Sequence, residues 1–311
     1  MLGAAVNVRS VTVPAVAAAA LLLFALVWSP ASPAPEPLLV ADLRGHALLV
    51  VDPAHPEDAR RIELPGGPHE LLRLPDGRVL VSLEQSGALA AVDLATGAVE
   101  VVDVGGLPHG LALDGGTVLV TDRSVDAIRR FDLESWRELE AIGSGAWPHA
   151  VAVVPSGAVA VTSAEPGSVR VGEVETRVGA TTETLAVRAD GAVAAAAATD
   201  GIVALVGADG VLLGRWEVGG RPVRVAFSPD GGTLAVALSA GHGVALIEGE
   251  RVRRVAVEGV PDGLAFSVDG RIVYVSDVFG GAVTAVDARS GAVRAVMHVG
   301  ESTGALMVAR P

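Results

Sequence analysis

Pro108-His109-Gly110-Leu111 opens the stretch whose reading decides the fold. Behind it, Leu111-Ala112-Leu113 is a short apolar run, and Asp114-Gly115-Gly116 supplies the positive-φ residues of a tight hairpin. Thr117 to Thr121 is rich in β-branched residues and reads as a second strand. Asp122 to Asp126 turns the chain, Ala127 to Asp132 is a third strand, Glu134-Ser135 turns again, and Arg137 to Ile142 is a fourth. Gly143 to Gly145 then leads into Pro148-His149-Ala150-Val151, where the phrase begins again. Four short antiparallel strands in a unit of this length make one propeller blade.

The phrase also stands at Pro68-His69-Glu70-Leu71, Pro222-Val223-Arg224-Val225 and Pro261-Asp262-Gly263-Leu264. Decayed copies are Thr182-Glu183-Thr184-Leu185 and Ser302-Thr303-Gly304-Ala305. Successive copies begin 40, 40, 34, 40, 39 and 41 residues apart, a period that marks an array of one supersecondary unit. Six complete blades run from Pro68 to Gly300. The last copy starts a strand, Ala305 to Ala309, and its three missing partners are found at Leu38 to Asp42, Ala47 to Asp52 and Arg60 to Leu64. The expected fold is therefore all-β: a seven-bladed β-propeller over residues 35–311, closed by N- and C-terminal strands that share one blade. Such closure costs loop entropy and removes two exposed sheet edges.

Residues 1–34 read differently. Val11 to Val27 is an uncharged apolar run, preceded by Arg9 and followed by Trp28 and a Ser/Pro/Ala stretch, the layout of an export signal. Its length lies between a signal core and a membrane span, so a cleaved signal peptide and a retained transmembrane anchor helix both stay open. Either one leaves Arg9 inside and the repeats outside the cytoplasm, which makes the expected location secreted, periplasmic or cell-surface. Ala31 to Pro37 is a stiff Pro-rich linker.

Composition narrows the function classes. Half of the residues are apolar but only ten are Phe, Trp or Tyr, so the core must be built from Val, Ala and Leu. The net charge is −13 and all 23 basic residues are Arg, a balance that repels phosphate backbones and argues against nucleic-acid binding. The absence of Cys excludes disulfides, thiolate metal sites, covalent c-type haem and a Cys-linked lipid anchor. The partner expected is a small ligand or an exported or membrane protein, and the chain reads as a monomer.

Strand direction alternates within a blade, so the residue after each Pro lines a ring at the mouth of the central channel. Around the axis that ring reads His69, His109, His149, Glu183, Val223, Asp262, Thr303. Three imidazoles followed by a carboxylate suit one divalent metal, zinc or manganese, on His69, His109 and His149, with Glu183 as a base or fourth ligand. Such a site must weaken below about pH 6.5, because imidazole ligates only when neutral. The leading reading is instead that these histidines hydrogen-bond loop carbonyls at the channel rim, and a third is that they hold an anionic or polar ligand. Asp262 and Trp147 complete the candidate ligand-binding set, Trp147 reading either as a stacking platform or as packing between blades. Asp42, Glu84, Asp122, Arg123 and Asp277, from the loops after the second strands, read as a solvated polar rim.

Other phrases carry a resemblance. Tyr274-Val275-Ser276-Asp277, then Ala285-Val286-Asp287 and Ser290-Gly291, is matched elsewhere by Leu119-Val120-Thr121-Asp122, by Ala91-Val92-Asp93 and by Thr96-Gly97. Over residues 38 to 311 the chain resembles the YVTN family of seven-bladed propellers, related in fold to NHL-repeat proteins and to the heavy chain of quinoprotein amine dehydrogenases. The resemblance implies an exported, non-catalytic ligand- or protein-binding scaffold acting through the channel-mouth face. Two alternatives stay open: a metal-dependent lyase or hydrolase using the three histidines, and the propeller subunit of a periplasmic redox complex. Virginiamycin-type lyases are similar in placing His at the propeller mouth. Regucalcin-like lactonases place Asn on their metal, and Asn7 is the only Asn in this chain.

Overall fold

The protein is described by a computed structural model covering residues 36–309, so the leader and its signal or anchor reading lie outside the described residues. Among the described residues no helix is long and apolar enough to cross a membrane. The chain forms seven four-stranded antiparallel sheets arranged as a propeller, each built from strands consecutive in sequence except the one that closes the ring. There Thr303–Val308 is the innermost strand, followed by Leu38–Asp42, Ala47–Asp52 and His55–Glu63. The register runs from Leu38 opposite Val308 to Asp42 opposite Thr303. The shared closing blade expected from the sequence is present. Its outer strand starts earlier than expected, at His55, and its inner strand also starts earlier, at Thr303. Blades are numbered one to six from the Pro68 copy, with the closing blade seventh.

The burial pattern explains the unusual composition. The two middle strands of blade one, Val79–Leu83 and Ala88–Val92, are buried at every position, while the outermost strand, Val99–Asp103, is half-buried or exposed. A strand sandwiched between neighbouring blades has no solvent face, so its residues run apolar without alternation. In blade four the equivalent strand is Val193–Ala197, one valine and four alanines, all buried. Side chains this small allow close sheet packing. Each interface between blades is a compact apolar cluster, such as Leu74, Leu80, Leu89, Val118, Val120 and Phe131 between blades one and two. Fully burying one such Leu or Val contributes about 1.5–3 kcal/mol.

Two polar devices hold the inner strands in register. The first is a hydroxyl at the end of the second strand. Thr121 Oγ1 accepts the Gly110 N–H at 2.7 Å and donates to the His149 carbonyl of the next blade at 2.8 Å. Thr162 does the same for Ala150 and Glu183, at 2.9 and 2.8 Å, and Ser276 for Gly263 and Gly304, at 2.6 and 2.7 Å. Gly110 fits this close approach because a Cβ there would lie 2.5 Å from the His149 carbonyl oxygen. The second device is the acid that follows. Asp122 Oδ1 accepts the Leu107 N–H at 3.0 Å, Asp277 Oδ1 that of Val260 at 2.9 Å, and Asp42 Oδ1 that of Ser302 at 2.9 Å. Asp42 and Asp122 are fully buried and structural, so the solvated polar rim expected from the sequence does not describe them.

The inner strands of blades two to seven also carry a bulge near their start. Pro108 pairs with Asp122 and Leu111 with Val120, so one extra residue is accommodated between them. The same shift occurs between Pro148 and Val151 and between Pro261 and Leu264. Bulges re-aim side chains at sheet ends. The pairing of Thr303 with Asp42 places Thr303 at the Pro position of blade seven. The residue it contributes to the ring is therefore Gly304. Thr303 itself is buried and bonded to the Asp277 and Ala282 carbonyls.

Candidate functional site

The three imidazoles expected to converge do so. The ring centroids of His69 and His109 are 4.2 Å apart and those of His109 and His149 are 4.0 Å apart, tilted by 49° and 59°. Successive inner strands that converge on the propeller axis bring them together. His109 is the central member and is 1 % exposed. Its Nδ1 lies 3.0 Å from the His149 carbonyl oxygen. A carbonyl only accepts, so Nδ1 carries the proton and the neutral ring keeps its lone pair on Nε2. That Nε2 is buried and has no hydrogen-bond partner, and neither do His69 Nδ1 and His149 Nδ1. Buried polar atoms are ordinarily paired, and this cluster holds three imidazole nitrogens without a partner.

Burial pushes the His109 pKa down to about 3, with the neighbouring His69 adding to the effect. Burial likewise holds His149 well below its ordinary value, with His109 adding to it. These two rings are therefore neutral far below pH 6.5.

The structure brings in residues the sequence reading passed over. Glu70, next to His69, belongs to the donor group that closes up: His69, Glu70 and His109 each offer one ligand atom, all within 4.8 Å of one another. His149 is not among them. Glu70 also receives a 2.7 Å hydrogen bond from Arg224 Nη1, which reaches across the channel from blade five. Burial works to raise the Glu70 pKa, but Arg224 and His69 overcome it and hold the carboxyl well below the usual carboxylate range. Glu84 Oε2 stands 3.8 Å from His69 Nε2, and Glu84 is paired with Arg123. One signal for the first pair was legible. Glu70 and Arg224 are the only charged residues at the second position after the Pro, where the other copies carry Gly, Ala or Thr.

The remaining expected residues sit around this cluster. Asp262 Oδ2 is 4.0 Å from Arg224 Nη2. Glu183 pairs with Arg221 at 3.2 Å, and burial raises its pKa despite that partner. Trp147 is 53 % exposed at φ +53°, so its side chain lies more in solvent than packed between blades. His242 offers a contrast within the same protein. Its Nδ1 also meets a carbonyl, that of Gly259 at 2.6 Å, but the side chain is exposed and leaves no buried nitrogen unpaired.

The group fits a divalent transition metal in its donor types. Two imidazoles and a carboxylate are a familiar zinc set, and ligand distances of about 2.0–2.2 Å require only small side-chain rotations from the spacing seen. The hydrogen bond from His109 Nδ1 to the His149 carbonyl is the outer contact that fixes a ligating imidazole in orientation and tautomer.

No protein-family model matches the chain, and no curated protein matches it. Solved structures do. A putative 6-phosphogluconolactonase from Bacteroides fragilis superposes with a TM-score of 0.71 at 15 % identity, covering 89 % of this chain and 98 % of that one. A virginiamycin B lyase from Staphylococcus aureus gives 0.67 at 13 % identity, covering 78 % and 92 %. Hydrazine synthase from Kuenenia stuttgartiensis gives 0.66 at 19 % identity, covering 78 % and 89 %. At these identities the likeness establishes the propeller fold and nothing about activity.

Proposed function

We propose that this protein is an exported ligand-binding propeller whose channel mouth holds one divalent transition metal on His69, Glu70 and His109. The observation that carries the reading is the fully buried, unpartnered Nε2 of His109, whose lone pair is fixed by the Nδ1 hydrogen bond. An apolar residue there would avoid the desolvation cost of an unpaired nitrogen, about 1–3 kcal/mol. A metal offsets that cost. The apolar Val11 to Val27 run behind Arg9 supports export.

A second reading, a metal-dependent lyase or hydrolase, draws on Glu183. Burial raises its pKa, the condition under which a carboxyl can exchange protons near neutral pH. In that case the metal would polarise a substrate oxygen, and Glu183 would move a proton at its carboxylate oxygen.

Cobalt(II) substitution tests the metal. The reading predicts one cobalt per chain with visible d–d bands of a low-coordinate nitrogen and oxygen site, lost in Glu70→Gln and in His109→Ala. Cobalt that stays in solution, or spectra unchanged by both substitutions, would contradict it. Turnover of ester or lactone substrates that is abolished by Glu183→Gln, with metal retained, would move the assignment to the enzyme.

A further inference from the structure

Arg224 is oddly employed. It crosses the channel from blade five to reach Glu70 in blade one, 154 residues away, and places Nη1 2.7 Å from that carboxylate. Its other groups are left with little. Nη2 stands 4.0 Å from Asp262, beyond hydrogen-bond distance, and Nε is buried with no partner. A guanidinium has five donors in a planar fork shaped for a carboxylate, and here one of them is well used. The partner it does have is the only carboxylate in the proposed metal set.

Charge around the mouth points the same way. Four carboxylates, Glu70, Glu84, Glu183 and Asp262, face three guanidinium groups, Arg123, Arg221 and Arg224. The empty cluster is therefore one unit negative and repels anions, and a bound dication makes it one unit positive. Once Glu70 also serves a metal, its hold on Arg224 weakens, and the fork can turn to an incoming anion.

We propose that Arg224 is the ligand-recognising arm of this site, gripping a carboxylate of a small monoanionic ligand, and that the protein takes such ligands only in its metal-loaded form. This rests on the metal reading above and adds the class of ligand and the order of binding. Metal comes first and carboxylate second, because only the loaded site attracts the anion. Inorganic phosphate shares the fork chemistry, but its dianion loses more hydration on burial than a carboxylate does, and the loaded site offers only a single positive charge in return.

The experiment is calorimetric titration in two stages on the full chain purified without a His tag. Zinc is titrated first. The wild type should take one zinc, and Arg224→Gln should take it about tenfold more tightly, because Glu70 no longer has a competing cation. Lactate is titrated second, after excess zinc is dialysed away. It should bind loaded wild type, bind loaded Arg224→Gln at least tenfold more weakly, and leave metal-free wild type untouched. Phosphate in place of lactate should bind more weakly. Arg224→Lys keeps a charge beside Glu70 without the fork and should shift lactate in the same direction, which covers a folding failure of the Gln variant. Absence of zinc binding overturns the metal reading and this inference with it. Zinc without lactate, lactate binding equally well to the variants, equal binding without metal, or tighter binding of phosphate overturns this inference alone.

Discussion

Blades two and five are built on the same plan and differ at three residues that matter for chemistry. Both have a Pro, a bulge and an inner strand paired in the same register. Blade two follows its Pro with His109 and Gly110 and staples them with Thr121, whereas blade five has Val223 and Arg224, and Ala237 where the hydroxyl would stand. In blades two and three, Thr121 and Thr162 each tie backbone groups of two neighbouring blades together, and three imidazoles stand in contact on this side of the ring. The unstapled wall of blades four and five is simpler. In blade four Thr184 Oγ1 is buried without a partner, facing a strand that offers Ala196 in place of a hydroxyl. A repeat therefore supplies a common scaffold, and local pairs of substitutions turn one side of the ring into a site. The orphaned nitrogens of the imidazoles lie on the stapled side, while Arg224, whose Nε also lacks a partner, reaches over from the other.

The sharpest way to break this contrast is to remove the staple. Thr121→Val leaves the Gly110 N–H without its acceptor and the His149 carbonyl with only the His109 Nδ1 donor, and should cost about 1–3 kcal/mol in denaturant unfolding. The same loss is expected for Gly110→Ala, whose Cβ meets the His149 backbone, whereas Ala237→Ser in blade five should change stability by less than about 1 kcal/mol. Equal effects in both blades would mean the two walls are held alike.

Acid is the next lever. The folded-state pKa of His109 is lowered to about 3, so between that value and about 6.5 the unfolded chain binds a proton that the folded chain refuses. Stability must therefore fall as pH drops through that window, by about 1.4 kcal/mol per pH unit for this ring. Glu70 acts in the same direction from a lower starting point. Its pKa is lowered in the folded state, so the stability it contributes is present above its unfolded value and is lost as pH falls below it. Chemical denaturation between pH 7 and pH 5 should show the slope in the wild type and a shallower one in His109→Phe. An unchanged slope would show that His109 is not held neutral.

Much of the fold was legible because a blade is a local event. The hairpin glycines, the β-branched strands and the forty-residue period all act within one repeat, and the count of strands at the two ends required a shared closing blade. The histidines were legible for the same reason, since they occupy one position in three successive copies. What the sequence hid depends on distance across the ring. Glu70 and Arg224 meet because blades one and five face one another. The phrase ending in Asp277 looked like surface, and burial of Asp42 and Asp122 beneath the approach loops is visible only once neighbouring blades are placed. The decayed copy near the C-terminus was read one residue early, which put Thr303 where Gly304 stands. The leader's role falls outside the described residues.

The smallest effects are expected at the rim. Trp147→Ala should alter stability by less than about 0.5 kcal/mol, because more than half of the side chain is already in water. A drop in ligand affinity in that variant, with zinc retained, would mark Trp147 as a stacking surface. A large loss of stability would contradict its exposed placement.

The central claim is that a buried imidazole nitrogen without a partner marks a metal site, whereas a carbonyl-bonded imidazole in the open does not. The direct measurement is zinc per chain after dialysis for wild type, His109→Ala and His242→Ala. The account predicts one zinc in the wild type, one in His242→Ala and a loss of at least tenfold in affinity in His109→Ala. No zinc in the wild type, or equal zinc in all three, would contradict it.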